Sequence, residues 1–191
     1  MFRRMADCYI ALLHFPVYNR HGTIVTTAVS NLDIHDIARV AKTCDIRRYY
    51  IVTPLKAQQD LVRKILEHWR TGYGATFNPA RKEALDLVEI AADFDDCLAK
   101  VTDCAGRPPK VVVTGAALTG DLTSFGELRQ AMEKNAEPYL LLFGTGSGLA
   151  QEVICMGHVR LSPLVGRNDY NHLPVRCAVA MVLDRLILSY E

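Results

Sequence analysis

The feature that most constrains the fold of this sequence is an alternation. Short apolar runs rich in Val, Ile, Leu and Tyr are followed by stretches with helical spacing, from one end of the chain to the other. Strand-like and helix-like segments in this order imply an α/β fold, a mostly parallel sheet flanked by helices. Strands are predicted over 9–15, 49–52, 87–91, 110–115, 139–143 and 159–161. A turn is expected around 19–22 and a loop over the glycine-rich 71–77. Helices are predicted over 33–44, from a Thr53 cap and Pro54 to Arg70, from Asn78-Pro79 onward, and over 93–104 ending at Gly106. Another begins at the Ser124/Glu127 capping box, and a closing helix covers 173–189. With 191 residues, no repeat and no linker-like tract, a single domain over 1–191 is expected.

Composition narrows the function classes. Lys and Arg number 22 against 21 Asp and Glu, a net charge of +1, so any site for a polyanion must be a local patch. The basic residues Arg39, Lys42, Arg47, Arg48, Arg63, Arg70, Arg81 and Lys82 bias the first half of the chain. No apolar run reaches the ~18 residues of a membrane span, and Asp7 and His14 interrupt the start in a way that argues against a signal peptide. None of the six cysteines forms a CxxC pair, so buried, inert thiols in a reducing cytoplasm are expected. The six histidines lack ligand spacing, so no metal is expected.

Three constellations carry chemistry. Gly144-Thr145-Gly146-Ser147-Gly148-Leu149 follows a strand, and its glycines let backbone bend sharply and approach a ligand; free amides there would attract polar groups. In Asn31–Arg39, helical spacing puts His35, Arg39 and Lys42 in one row opposite an apolar stripe. In Asn168–Arg176, amides and a carboxylate precede the closing helix, where Asn171 or His172 could cap and Pro174 suits the first turn. That helix, from Cys177 to Leu188, is apolar on nearly all sides, which implies cover from a second subunit and hence a homodimer.

In order and spacing these stretches resemble the three motifs of the SPOUT family, the α/β-knotted methyltransferases that use S-adenosyl-L-methionine. Asn31–Arg39 with Ala41-Lys42-Thr43 resembles the first motif, Leu140–Leu149 the second and Asn171–Ala178 the third. Leu13–Asn19, His68-Trp69 and Gly72-Tyr73-Gly74 are similar to a short, stand-alone bacterial group of RNA methyltransferases. Asp33 and His35 replace the usual Asn and Gly of the first motif, and Pro174 stands where serine is common.

The resemblance implies a deep C-terminal trefoil knot and an RNA substrate, tRNA or rRNA, with methyl transfer by direct displacement at a dimer-interface site. By position, it implies a donor pocket of Thr114, Gly115 and Ala116, then Gly144, Thr145, Gly146, Ser147, Gly148 and Leu149, then Leu161, Pro163 and Leu164, then Asn171, Leu173 and Val175. Arg39 would contact the acceptor, Asp169 would serve as base, and Asp33 and His35 rank behind them. Arg39, Lys42, Arg70 and Arg81 would bind RNA, with Tyr73 and Phe77 stacking on bases. The competing readings are a dimeric RNA-binding module without transfer activity and an NAD-dependent Rossmann oxidoreductase. The glycine turn argues against the second, because it comes late in the chain and the dinucleotide fingerprint normally opens its fold.

Overall fold

In the computed structural model, which describes residues 5–168 and 170–188, β1 (Cys8–Leu13) lies near the middle of the sheet. On one side stand β4 (Arg48–Val52) and β5 (Val88–Ala91). On the other stand β7 (Tyr139–Gly144), β6 (Lys110–Val113) and β8 (Val159–Arg160). All pairings within this six-stranded sheet, of order β5-β4-β1-β7-β6-β8, are parallel. A two-stranded antiparallel ribbon, β2 (Val17–Tyr18) and β3 (Ile24–Val25), follows β1.

The inner strands β1 and β7 are uninterrupted apolar runs because both faces are covered. Ile10, Leu12, Tyr49, Ile51, Val112, Leu141 and Phe143 point into one core, with α1 (Asn31–Thr43), α2 (Lys56–Arg70), α4 (Pro79–Leu85), α6 (Phe125–Lys134) and α8 (Val175–Leu186). Their neighbours Tyr9, Ala11, Leu13, Tyr50, Val52, Val113 and Leu142 point into the other, with α5 (Phe94–Ala105) and α7 (Gln151–Cys155). The short α3 (Tyr73–Phe77) links α2 to α4.

Several predicted starts are met in atomic detail. Asn78 caps α4 by accepting from the Arg81 amide at 3.0 Å, with Pro79 in the first turn. Asp93 caps α5, and Gly106 closes it at φ 74°. Ser124 and Glu127 form the reciprocal capping box of α6.

The differences have physical causes. Helix α2 begins at Lys56, later than the Thr53 cap predicted. Thr53 is still part of the sheet edge, donating its amide to the Ala91 carbonyl at 3.0 Å, and the proline after it disfavours helical backbone there. The apolar stripe that spacing predicts for α2, Leu61, Val62, Ile65 and Trp69, also shifts. Leu61 is 43% exposed, whereas Gln59 is buried because its amide donates to the Thr53 carbonyl. The glycine-rich 71–77 holds α3 in place of a loop. Helix α8 starts at Val175 with Pro174 in the cap position and no side-chain cap; the predicted end at Ser189 lies outside the described residues. Only one side of α8 is buried, through Val179, Val182, Leu183 and Leu186, while Cys177 and Met181 on its other side are exposed. Of the six cysteines, all free, Cys104, Cys155 and Cys177 are exposed, contrary to the expected burial.

Leu141 is fully buried in β7 at the sheet centre. Leu141→Ala should lower unfolding free energy by about 2–5 kcal/mol, measured as a shift of the urea midpoint.

Candidate active site

Because the strands of the main sheet are parallel, their C-terminal ends share one edge, where ligands of open α/β sheets gather. The predicted donor segments leave the ends of three adjacent strands there: 114–116 after β6, 144–149 at the end of β7 and 161–164 after β8. The segment 171–175 leads into α8 and joins them, since the Asn171 side-chain amide donates to the Ala116 carbonyl at 3.4 Å. Thr114 is tied to β7 by its hydroxyl on the Leu142 carbonyl at 2.8 Å. Leu161 is buried, and its amide donates to the Val113 carbonyl at 3.0 Å. Leu164 and Val175 are half-buried against the core, Pro163 is half-buried, and Leu173 is 42% exposed.

The glycine turn is fastened to the ribbon that follows β1. Gly146 has φ 61°, and a Cβ there would lie 2.6 Å from the Tyr18 carbonyl oxygen, so glycine is required on both counts. The Ser147 amide donates to the Tyr18 carbonyl at 2.7 Å, and the Tyr18 amide to the Gly148 carbonyl at 2.9 Å. The Ala150 and Gln151 amides go to the Pro16 carbonyl and the Tyr18 hydroxyl. The expected set of free amides is therefore largely engaged within the fold.

Beneath this turn lies a residue that sequence reasoning did not single out. His14 follows the last residue of β1, fully buried, with Nδ1 3.0 Å from the Thr27 hydroxyl. Thr27 contacts the Thr145 hydroxyl, and Thr145 donates to the Leu13 carbonyl at 3.1 Å. The imidazole and the Thr27 and Thr145 hydroxyls thus form one chain of contacts, and the Ala28 carbonyl also meets the ring. Burial holds the imidazole far below its usual range, at about 4. A polar residue closing an apolar strand is the only signal the sequence offered.

The first and third motifs meet at their helix starts. Arg176 in α8 pairs with Asp33 at 3.6 Å and with Asp36 at 3.5 Å, both in α1. Burial raises the proton affinity of Asp33, and the Arg176 charge opposes it. The predicted basic row of α1 is not uniformly solvated. Arg39 and Lys42 are exposed, but His35 is half-buried, its ring edge-on to Trp69 at 5.4 Å.

Arg39 and Arg81 line one cleft of about 540 Å³ between α1, α2 and α4. Arg39 also borders a groove between α1 and α8, beside Met181. Neither cavity includes a donor-segment residue. Lys42 stands 3.8 Å from Glu83. Arg70 differs from the expectation of an open RNA contact: its guanidinium donates to the Leu85 and Val88 carbonyls and faces Asp86 at 3.5 Å, which commits it to the α4–β5 turn. Asp169 lies outside the described residues. No group of His, Cys, Asp or Glu able to hold a metal occurs among the described residues, and no described helix is long and apolar enough to cross a membrane.

The donor segments carry no Lys, Arg, Asp or Glu, and His172 is their one titratable residue. Their hydroxyls, amide, carbonyls and aliphatic groups suit a ligand that brings its own positive charge, as a sulfonium does. The chain belongs to the SAM-dependent RNA methyltransferase family, whose model matches residues 7–188. An uncharacterized protein of Aquifex aeolicus is 36% identical over 180 residues, 94% of this chain and 88% of its own. The tRNA (guanine-N(1)-)-methyltransferase of Nitratidesulfovibrio vulgaris is 41% identical over 181 residues, 95% of this chain but 42% of that protein. This chain thus spans less than half the length of that relative. The SpoU methyltransferase AviRb of Streptomyces viridochromogenes, solved with its cofactor AdoMet, shares the fold at TM-score 0.58 and 14% identity, over 96% of this chain and 58% of that one. Family membership sets aside the NAD-dependent reading.

His14 generates a pH dependence. The unfolded chain protonates this imidazole near pH 6.5, whereas the native chain resists until about 4. Native stability therefore falls as pH drops between these values, by on the order of 3 kcal/mol at full effect. Urea unfolding of the chain and of His14→Asn, near pH 7 and near pH 4, should show a smaller loss in the variant.

Proposed function

We propose that this chain methylates a nucleotide of RNA by direct displacement, in a site that two copies complete. The observation that carries this reading is the convergence of four uncharged segments over the ends of β7, β6 and β8, joined by the Asn171–Ala116 hydrogen bond. These segments would hold S-adenosylmethionine, with the chain around 161–175 threaded as the trefoil of the SPOUT fold. When bound, the cofactor supplies a methyl group on a cationic sulfur that leaves as a neutral thioether.

The chain's own contribution is alignment, which supplies ~7–11 kcal/mol in well-oriented reactions. Thr114, Thr145 and Asn171 fix the lining through their bonds to Leu142, Leu13 and Ala116. Arg39 is exposed and has no ion-pair partner among the described residues. Its guanidinium fork suits a phosphate or ribose of the acceptor. The base that takes the acceptor proton is assigned to Asp169 on the resemblance alone. The second copy is placed on the bare side of α8, where Cys177 and Met181 face outward and Arg39 stands at the border of the groove.

Calorimetry should show S-adenosylmethionine binding to the purified chain, and sedimentation should give a dimer. Arg39→Ala should bind the donor as the parent does and methylate total RNA roughly 100-fold more slowly. Unchanged turnover would remove Arg39 from its role, and donor binding without any methylated RNA would favour a binding module.

A further inference from the structure

The cleft between α1, α2 and α4 is built around the single tryptophan of the chain. Trp69 is not free to stack on a ligand. Its ring is met edge-on by His35 at 5.4 Å and His68 at 5.3 Å, and the Arg81 guanidinium lies over it at 4.8 Å. Helix α3 presses on it through Gly74, where a Cβ would come within 2.7 Å of the ring. Trp69 is thus a scaffold that fixes the groups around it.

Those groups are cations and donors. Arg39, Lys64 and Arg81 line the cleft, and none has an ion-pair partner among the described residues. The carboxylate of the lining, Asp36, is drawn to Arg176 at 3.5 Å. Two buried polar atoms of the lining, His35 Nδ1 and Arg81 Nε, have no hydrogen-bond partner among the described residues. Buried polar groups are normally satisfied, so this pair leaves hydrogen-bonding capacity unspent beside the cations. Burial and the charges of Arg81 and Arg39 depress proton binding at His35, the state an anion would relieve. Beside this cleft, α3 exposes Tyr73 (73%) and Phe77 (69%), stacked at 5.8 Å. Large aromatics this bare on a five-residue helix have little packing role.

We propose that the Arg39/Lys64/Arg81 cleft seats a phosphodiester of unpaired RNA, and that the Tyr73–Phe77 pair stacks on an adjoining base. The unpaired state follows from the stacking pair, since duplex bases do not offer their faces. This inference rests on the RNA methyltransferase reading and adds a contact outside the donor segments.

The test titrates the intact chain with a fluorescein-labelled single-stranded oligoribonucleotide of mixed sequence and with its duplex. Anisotropy is followed across salt concentration, and Trp69 emission is read with unlabelled strand. The single strand should bind more tightly than the duplex and change Trp69 emission. Lys64→Gln and Arg81→Gln should each weaken binding and reduce the salt slope by about 0.7. The double variant Tyr73→Ala, Phe77→Ala should weaken binding roughly tenfold with the slope unchanged. Lys64 is exposed, so its variant reports even if loss of Arg81 disturbs Trp69. No binding by the parent, or parental affinity and slope in every variant, would overturn the proposal. Calorimetry with S-adenosylmethionine separates the two readings. A chain that takes up the donor but binds RNA independently of the cleft keeps its function and loses this site. A chain without donor uptake loses the functional reading, and the anisotropy series still decides the cleft.

Discussion

The pairing of β1 with β7 is the interaction on which the rest of the structure depends. Six register positions, from Cys8 opposite Tyr139 to Leu13 opposite Gly144, bind the first strand to one far along the chain. This pairing sets the glycine turn beside the end of β1, where Thr145 reaches the Leu13 carbonyl and the Thr27 hydroxyl. It also makes β1 an interior strand, so its side chains must satisfy two cores at once. One residue of slip would send Ile10 and Leu12 to the face of Tyr9 and Ala11 and disorder both.

Polar chemistry at the functional edge is divided between two regions. The segments over β7, β6 and β8 are uncharged and fastened to the strands and the ribbon. The region between α1, α2 and α4 is cationic and held by Trp69. Arg39 lies on α1 between the cationic cleft and the α8 groove, while α1 itself is fixed to the start of α8 through Arg176. The helix that carries Arg39 is thereby anchored to the start of α8.

Much of this was legible in the sequence. The strands were readable because a strand covered on both faces is a continuous apolar run, as in Cys8–Leu13 and Tyr139–Gly144. Helix starts were readable where a local side chain makes the cap, as at Asn78, Asp93 and Ser124. They were misjudged at Thr53, whose backbone the sheet bond to Ala91 holds extended, and at α8, which starts only after Pro174, beyond the reach of Asn171. The His14 contacts escaped notice because Thr145 lies far off in sequence, and the two-residue strands of the ribbon and the five-residue α3 are too short to show a period. Arg70 looked like a free cation for a related reason, since nothing in its neighbourhood of the sequence shows that it will grip the Leu85 and Val88 carbonyls.

The bonds between ribbon and glycine turn have a consequence for biosynthesis. Tyr18 and Gln151 are 133 residues apart, and the ribbon's outward amides and carbonyls are matched only by that later turn. A nascent polypeptide therefore leaves the ribosome with this piece unmatched until the 147–151 stretch has emerged. Long loop closure of this kind slows folding, and it ties the ordering of the ribbon to that of the glycine turn.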